Sequence, residues 1–180
     1  MRRDTTRSAD DLNRPEGNSL LDNYQVHDVA EEYVIERLES IGFRVEAWGM
    51  DKRHDNNGLL FEDDRVDLKV FDGDELVLLI EVKSKSAAHY MGSLNRRHLN
   101  KYCRVAESEG VPTYIAWCEI DGDTVKDTFV TPCKKPMPNL VHNTFRFPDG
   151  NRGVEINSFY RFDWSVIESV AEDDYGSMVV

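Results

Sequence analysis

A chain of 180 residues, 40% of them hydrophobic, is the size of one domain with an appendage and can bury a core. No apolar run approaches the ~20 residues that span a bilayer, and residues 1–19 lack the apolar centre of a signal peptide, so a cytoplasmic protein with no membrane partner is expected. The net charge of −12 weighs against a polyanionic partner only until its distribution along the chain is considered.

Residues 1–22 read as a flexible arm in which Arg2, Arg3, Arg7 and Arg14 alternate with acids, and Pro15-Glu16-Gly17 breaks any helix. A helix is expected over 23–41, because Val26, Ala30, Val34, Leu38 and Ile41 keep helical spacing, and Gly42 ends it. Residues 43–48 follow as a strand, then a charged loop to 64. Strands at 66–71 and 76–83 are joined by the tight turn Asp72-Gly73-Asp74 as a hairpin. The second of these is apolar on both faces, so it belongs in the middle of its sheet. A second helix is expected over 91–109, stopped by Gly110-Val111-Pro112, and strands at 113–119 and 124–131 flank Asp121-Gly122-Asp123. Beyond Pro132 the sequence suggests a hairpin of 144–147 with 153–156, a short helix at 164–171 and a loose acidic end. The organisation is an arm at 1–22, a main domain at 23–131 and a C-terminal β-rich extension at 132–180 packed on that domain.

Charge is unevenly placed. Residues 82–106 hold no acid but carry Lys83, Lys85, Arg96, Arg97, Lys101 and Arg104, with His89 and His98. A second acid-free window covers 128–148. Basic residues grouped on an acidic background suit a protein with one face for an anionic polymer. The acid excess, 19 Asp and 15 Glu against 8 Lys and 14 Arg, fits the halophilic pattern in which hydrated carboxylates keep a protein soluble in concentrated salt. Cys103, Cys118 and Cys133 are odd in number, far apart and without a C-x-x-C spacing, which points to reduced thiols rather than a zinc site.

The chemistry gathers where the central strand ends. Side chains alternate along a strand, so Glu81 and Lys83 share one face while Val82 enters the opposite layer. The hairpin brings Asp67 close to Glu81. Two adjacent carboxylates raise each other's pKa unless a cation lies between them. Hard oxygen ligands select Mg²⁺ or Mn²⁺, which polarise a phosphoryl oxygen and acidify water. Lys83 is placed to orient the attacking water. Glu31 extends the apolar stripe of the first helix back by one turn and so faces the sheet, whereas Glu32 and Glu36 face solvent. In outline this is a site for phosphodiester hydrolysis.

Asp67, thirteen residues, then Glu81-Val82-Lys83 is similar to the D…E-x-K signature of the PD-(D/E)XK nuclease superfamily. More narrowly, Ala30-Glu31-Glu32, Leu38-Glu39-Ser40-Ile41-Gly42-Phe43-Arg44-Val45, Arg65-Val66-Asp67-Leu68, Tyr90-Met91-Gly92 and Gly110-Val111-Pro112 resemble archaeal Holliday junction resolvases in order and register, over about residues 26–120. The resemblance implies an α/β restriction-endonuclease-like core, with a mixed central sheet flanked by helices. It also implies a dimeric, metal-dependent endonuclease acting on DNA, including four-way junctions, with Glu31, Asp67, Glu81 and Lys83 as its motif residues. The metal is expected on Asp67, Glu81, the Val82 carbonyl and Glu31, and DNA on Lys85, His89, Arg96, Arg97 and Lys101. A restriction- or repair-type nuclease, and a DNA-binding module without turnover, are the alternatives.

Overall fold

The computed structural model describes residues 20–49, 65–86, 88–133, 140–147 and 150–172. The expected arm up to residue 19, the charged loop at 50–64, the turn at 148–149 and the acidic end from 173 lie outside the described residues.

The first helix, α1 (Leu20–Ser40), begins three residues earlier than its pattern suggests. Its stripe behaves as the spacing requires: Ala30, Val34 and Leu38 are fully buried, while Glu32 and Glu36 are exposed. The helix closes where the Ile41 and Phe43 N–H groups both donate to the Leu38 carbonyl, with Gly42 at φ +101° between them.

Strands β1 (Arg44–Ala47), β2 (Leu68–Asp72) and β3 (Glu75–Lys85) follow. After a 3-10 turn at Ala88–Tyr90 come β4 (Ser93–Asn95), α2 (Arg96–Glu109), β5 (Thr113–Asp121) and β6 (Thr124–Pro132). The C-terminal part supplies β7 (Val141–Arg146), β8 (Arg152–Ile156), a 3-10 turn at Ser158–Tyr160 and α3 (Ser165–Glu172).

Five strands form a mixed sheet in the order β1-β2-β3-β5-β6. The β3–β5 pair is parallel and the other three pairs are antiparallel. A parallel pair needs a crossover, and the chain makes it through α2. The apolar strand β3 lies in the centre, buried without a break from Val77 to Val82. Its alternation divides the core in two. On one face Leu78, Ile80 and Val82 pack with Leu68, Ala116, Val34 and Leu38, and with Trp164 and Ile167 around α3. On the other, Leu79 packs with Ile115 and Trp117, with Leu99 and Tyr102 of α2, and with Val154 and Ile156 of β8.

The second helix differs from expectation at its start. Residues 93–95 are extended because β4 pairs with β8, Leu94 opposite Val154, in a separate three-strand sheet ordered β4-β8-β7. Asn95 then caps α2, its side-chain oxygen accepting the Arg97 N–H at 2.9 Å. The last helix is tied to the rest by Trp164 Nε1, which donates to Thr128 Oγ1 at 3.0 Å, and by Arg37 of α1, whose guanidinium meets Glu168 at 3.3 Å. Among the described residues no helix is long and apolar enough to cross a membrane.

Candidate active site

The site forms where β2 begins and β3 is still running. Leu68 pairs with Ile80, so Asp67, in the bend just before β2, stands abreast of Glu81. The Asp67 carboxylate serves as ladder partner just ahead of β2: its Oδ2 accepts the Val82 N–H at 2.7 Å. Its backbone carbonyl is held by the N–H groups of Trp48, at 2.7 Å, and Gly49, at 3.1 Å. That approach favours glycine, since a Cβ at position 49 would lie a tight 3.1 Å from the Val66 carbonyl oxygen and 3.2 Å from the Asp67 Cα.

Glu81 and Lys83 emerge on the α2 face of the sheet, and the Val82 side chain is buried on the α1 face. Glu81 is 5% exposed. Its Oε1 receives two donors, Lys83 Nζ at 2.6 Å and the Tyr102 hydroxyl at 2.5 Å. Tyr102 comes from α2 and is itself buried.

The electrostatics follow from burial. Desolvation raises the Asp67 pKa, opposed by the Lys83 charge and the Val82 N–H, while Glu31 adds a further upward push and Lys101 a downward one. Glu81 is raised by burial and then by the Asp67 charge, against the pull of Lys83 and the Tyr102 hydrogen bond. The Tyr102 phenol is pushed well above its ordinary range by burial and by Glu81 beside it, so it remains a donor. Two carboxylates thus share a desolvated corner in which neither ionises freely. A divalent cation between them would relieve both the burial cost and the repulsion, and their hard oxygens suit Mg²⁺ or Mn²⁺.

The structure brings Asp67, Glu81 and Lys83 together and sets Glu31, half-buried on α1, within electrostatic reach of Asp67. Val82 enters by its N–H. Lys101 is half-buried and also acts on Asp67. Arg96 and Arg97 are exposed on the first turn of α2, and His89 is exposed with its ring 3.8 Å from that of Tyr90. Lys85 departs from expectation: it is 3% exposed, with its ammonium 5.9 Å from the centre of the Trp117 ring, because residue 85 continues the inward face of 81 and 83. Its burial sets it apart from the exposed Arg96, Arg97 and His89.

Three residues stand at the site that the sequence pattern does not assign to it. Tyr102 falls three positions after buried Leu99, and a buried tyrosine wants a partner for its hydroxyl, a signal that was present. His27 is one turn before Glu31, and its Nδ1 lies 3.6 Å from Glu31 Oε2. Ligand atoms of His27, Asp28 and Glu31 all lie within 4.8 Å of one another, an arrangement that i, i+4 spacing makes possible. Gly49 carries no signal in the sequence, since the preference for glycine arises from its close approach to Val66 and Asp67, distant in the chain.

No family model matches this sequence, and no curated protein matches it. Among solved structures, the chain is similar to the 1.6 Å resolution structure of Archaeoglobus fulgidus Hjc, a Holliday junction resolvase from an archaeal hyperthermophile. The TM-score is 0.52 at 15% sequence identity, covering 77% of this chain and 97% of that one. The chain therefore has a restriction-endonuclease-like fold, with a mixed sheet flanked by helices.

Proposed function

We propose that this chain is a Mg²⁺- or Mn²⁺-dependent DNA endonuclease that hydrolyses phosphodiester bonds and selects its substrate by structure, as a Holliday junction resolvase does. One observation carries the reading: the carboxylates of half-buried Asp67 and buried Glu81 stand side by side, both with raised pKa values, and a lysine is bonded to Glu81. A structural ion pair has no need of a second acid against it, whereas two converging carboxylates beside a lysine supply the donor set of a hydrolytic metal site.

In this reading Asp67, Glu81 and the Val82 carbonyl hold the cation, and Glu31 joins from the edge through a second ion or the water network. The bound ion would polarise the scissile phosphate and lower the pKa of the attacking water. Lys83, kept in place by Glu81 Oε1, orients that water and offsets charge on the phosphate. Arg96, Arg97, Lys101 and His89 serve as phosphate contacts, fixing position without reading bases. Paired cuts in a four-way junction call for two sites at fixed spacing, which a C₂ dimer supplies.

The test offers a labelled four-way junction, a linear duplex of the same sequence and a supercoiled plasmid, each with Mg²⁺ or with EDTA. Mg²⁺-dependent paired cuts at the junction are expected, with a dimer by light scattering. Cleavage confined to duplex or plasmid by a monomer would replace junction resolution with a restriction- or repair-type activity. Junction binding without any cleavage would leave a binding module.

A further inference from the structure

The basic helix α2 does more than present Arg96 and Arg97. Five residues past Arg97 it also sends Tyr102 inward, to the glutamate that the proposed cation would need. The two donors on Glu81 come from different places. Lys83 is on the same strand, two residues away, and follows Glu81 wherever that strand goes. Tyr102 belongs to another element, and its hydroxyl fixes the carboxylate relative to α2. The ring also lies under Lys83, whose ammonium is 5.6 Å from its centre, and the His98 ring packs against it from one turn back at 6.3 Å. The start of α2 is fixed in turn by the Asn95 cap and by β4 pairing with β8.

We propose that Tyr102 is a positioning residue for the Glu81 carboxylate: with Lys83 it occupies Oε1, so that Glu81 engages the cation through its other oxygen, and it links the cation site to the helix that carries the phosphate contacts. This rests on the metal-dependent reading above and deepens it. A carboxylate held by two short donors at one oxygen cannot rotate to chelate with both. Glu81 would therefore offer the ion its other oxygen, beside the Asp67 carboxylate. Without the hydroxyl, Lys83 alone restrains Glu81, and the side chain samples orientations that no longer meet Asp67 across the ion. Losing an outer partner of a metal ligand typically weakens metal affinity by about 10–100-fold.

The experiment is Tyr102→Phe, which removes the hydroxyl and keeps the ring. Mn²⁺ binding to the protein without DNA is measured by electron paramagnetic resonance, and junction binding in Ca²⁺ by fluorescence anisotropy. Mg²⁺ dependence of cleavage is then followed to saturation. We expect Mn²⁺ affinity to fall by about tenfold or more, the half-saturating Mg²⁺ concentration to rise in parallel, and junction affinity to stay within about twofold because no phosphate contact is lost. If Y102F does not fold, Tyr102→Met makes the same deletion with a flexible apolar side chain. Wild-type Mn²⁺ affinity in the variant, with the parent protein binding Mn²⁺ and cleaving, overturns the role of Tyr102 alone. A parent protein that neither binds Mn²⁺ nor cleaves overturns the metal-dependent reading, and the role of Tyr102 with it.

Discussion

Two strands of this sheet carry the same acid–base pattern two residues apart, and they behave as opposites. On β1, at the sheet edge, Arg44 and Glu46 form an ion pair whose side chains are 46% and 54% exposed. On β3, at the centre, Glu81 and Lys83 form one at 2.6 Å whose side chains are 6% and 13% exposed. The edge pair is bathed in water, which screens it, and it is worth little. The central pair is desolvated, faces the half-buried Asp67 carboxylate and receives a tyrosine from another element. Spacing therefore does not make a site. The position of the strand in the sheet does, by deciding whether water or protein surrounds the charges.

The comparison is broken most severely by neutralising either carboxylate of the central corner. Asp67→Asn or Glu81→Gln should lower Mg²⁺-dependent cleavage by about 10³-fold or more, the scale of a lost metal ligand. DNA binding, measured by anisotropy in Ca²⁺, should persist in both variants. Lys83→Ala should reduce single-turnover cleavage by about 10²-fold, as loss of a water-orienting group does.

Replacing Arg96 and Arg97 together with Ala should weaken binding to every DNA sequence alike. It should flatten the plot of log affinity against log salt by up to about two units of slope, one for each phosphate contact. An unchanged slope would remove the first turn of α2 from the DNA surface.

The raised carboxylates also make a stability prediction of definite sign. Between the ordinary carboxylate range and their raised values, Asp67 and Glu81 bind more protons folded than unfolded. The metal-free protein should therefore be most stable, on their account, at pH below that range, and should lose that stability as pH rises through the raised values. At neutral pH, Mg²⁺ should raise the Tm of the parent protein. Asp67→Asn should raise the metal-free Tm on the order of 2–4 °C and abolish most of the Mg²⁺ effect. A calorimetric scan with and without Mg²⁺ checks both. At the other end of the scale, Arg44→Ala on the edge strand should change stability by less than about 1 kcal/mol and leave cleavage untouched, since that pair is screened.

Much of this was legible in the sequence because it is local. The period of α1 placed Glu31 on the inward side, and the uninterrupted apolar run of β3 placed that strand in the middle. The Asp72-Gly73-Asp74 turn then set Asp67 beside Glu81. What stayed hidden depends on partners distant in the chain. Residues 93–95 look like the start of a helix until β8, some sixty residues later, pairs with them. Lys85 looks like a surface charge unless the inward face of β3 is followed two residues past Lys83 to Trp117. Tyr102 looks like an ordinary core aromatic until its hydroxyl is found on Glu81.

The corner formed by Asp67, Glu81 and Lys83 is proposed as a metal-dependent hydrolytic site for DNA. It is tested most directly by titrating Mg²⁺ into the protein with a labelled four-way junction and comparing the parent chain with Asp67→Asn. Saturable, EDTA-sensitive cleavage by the parent and none above background by the variant are expected, with both still binding the junction. Equal cleavage by the two proteins, or cleavage that survives EDTA, would contradict it.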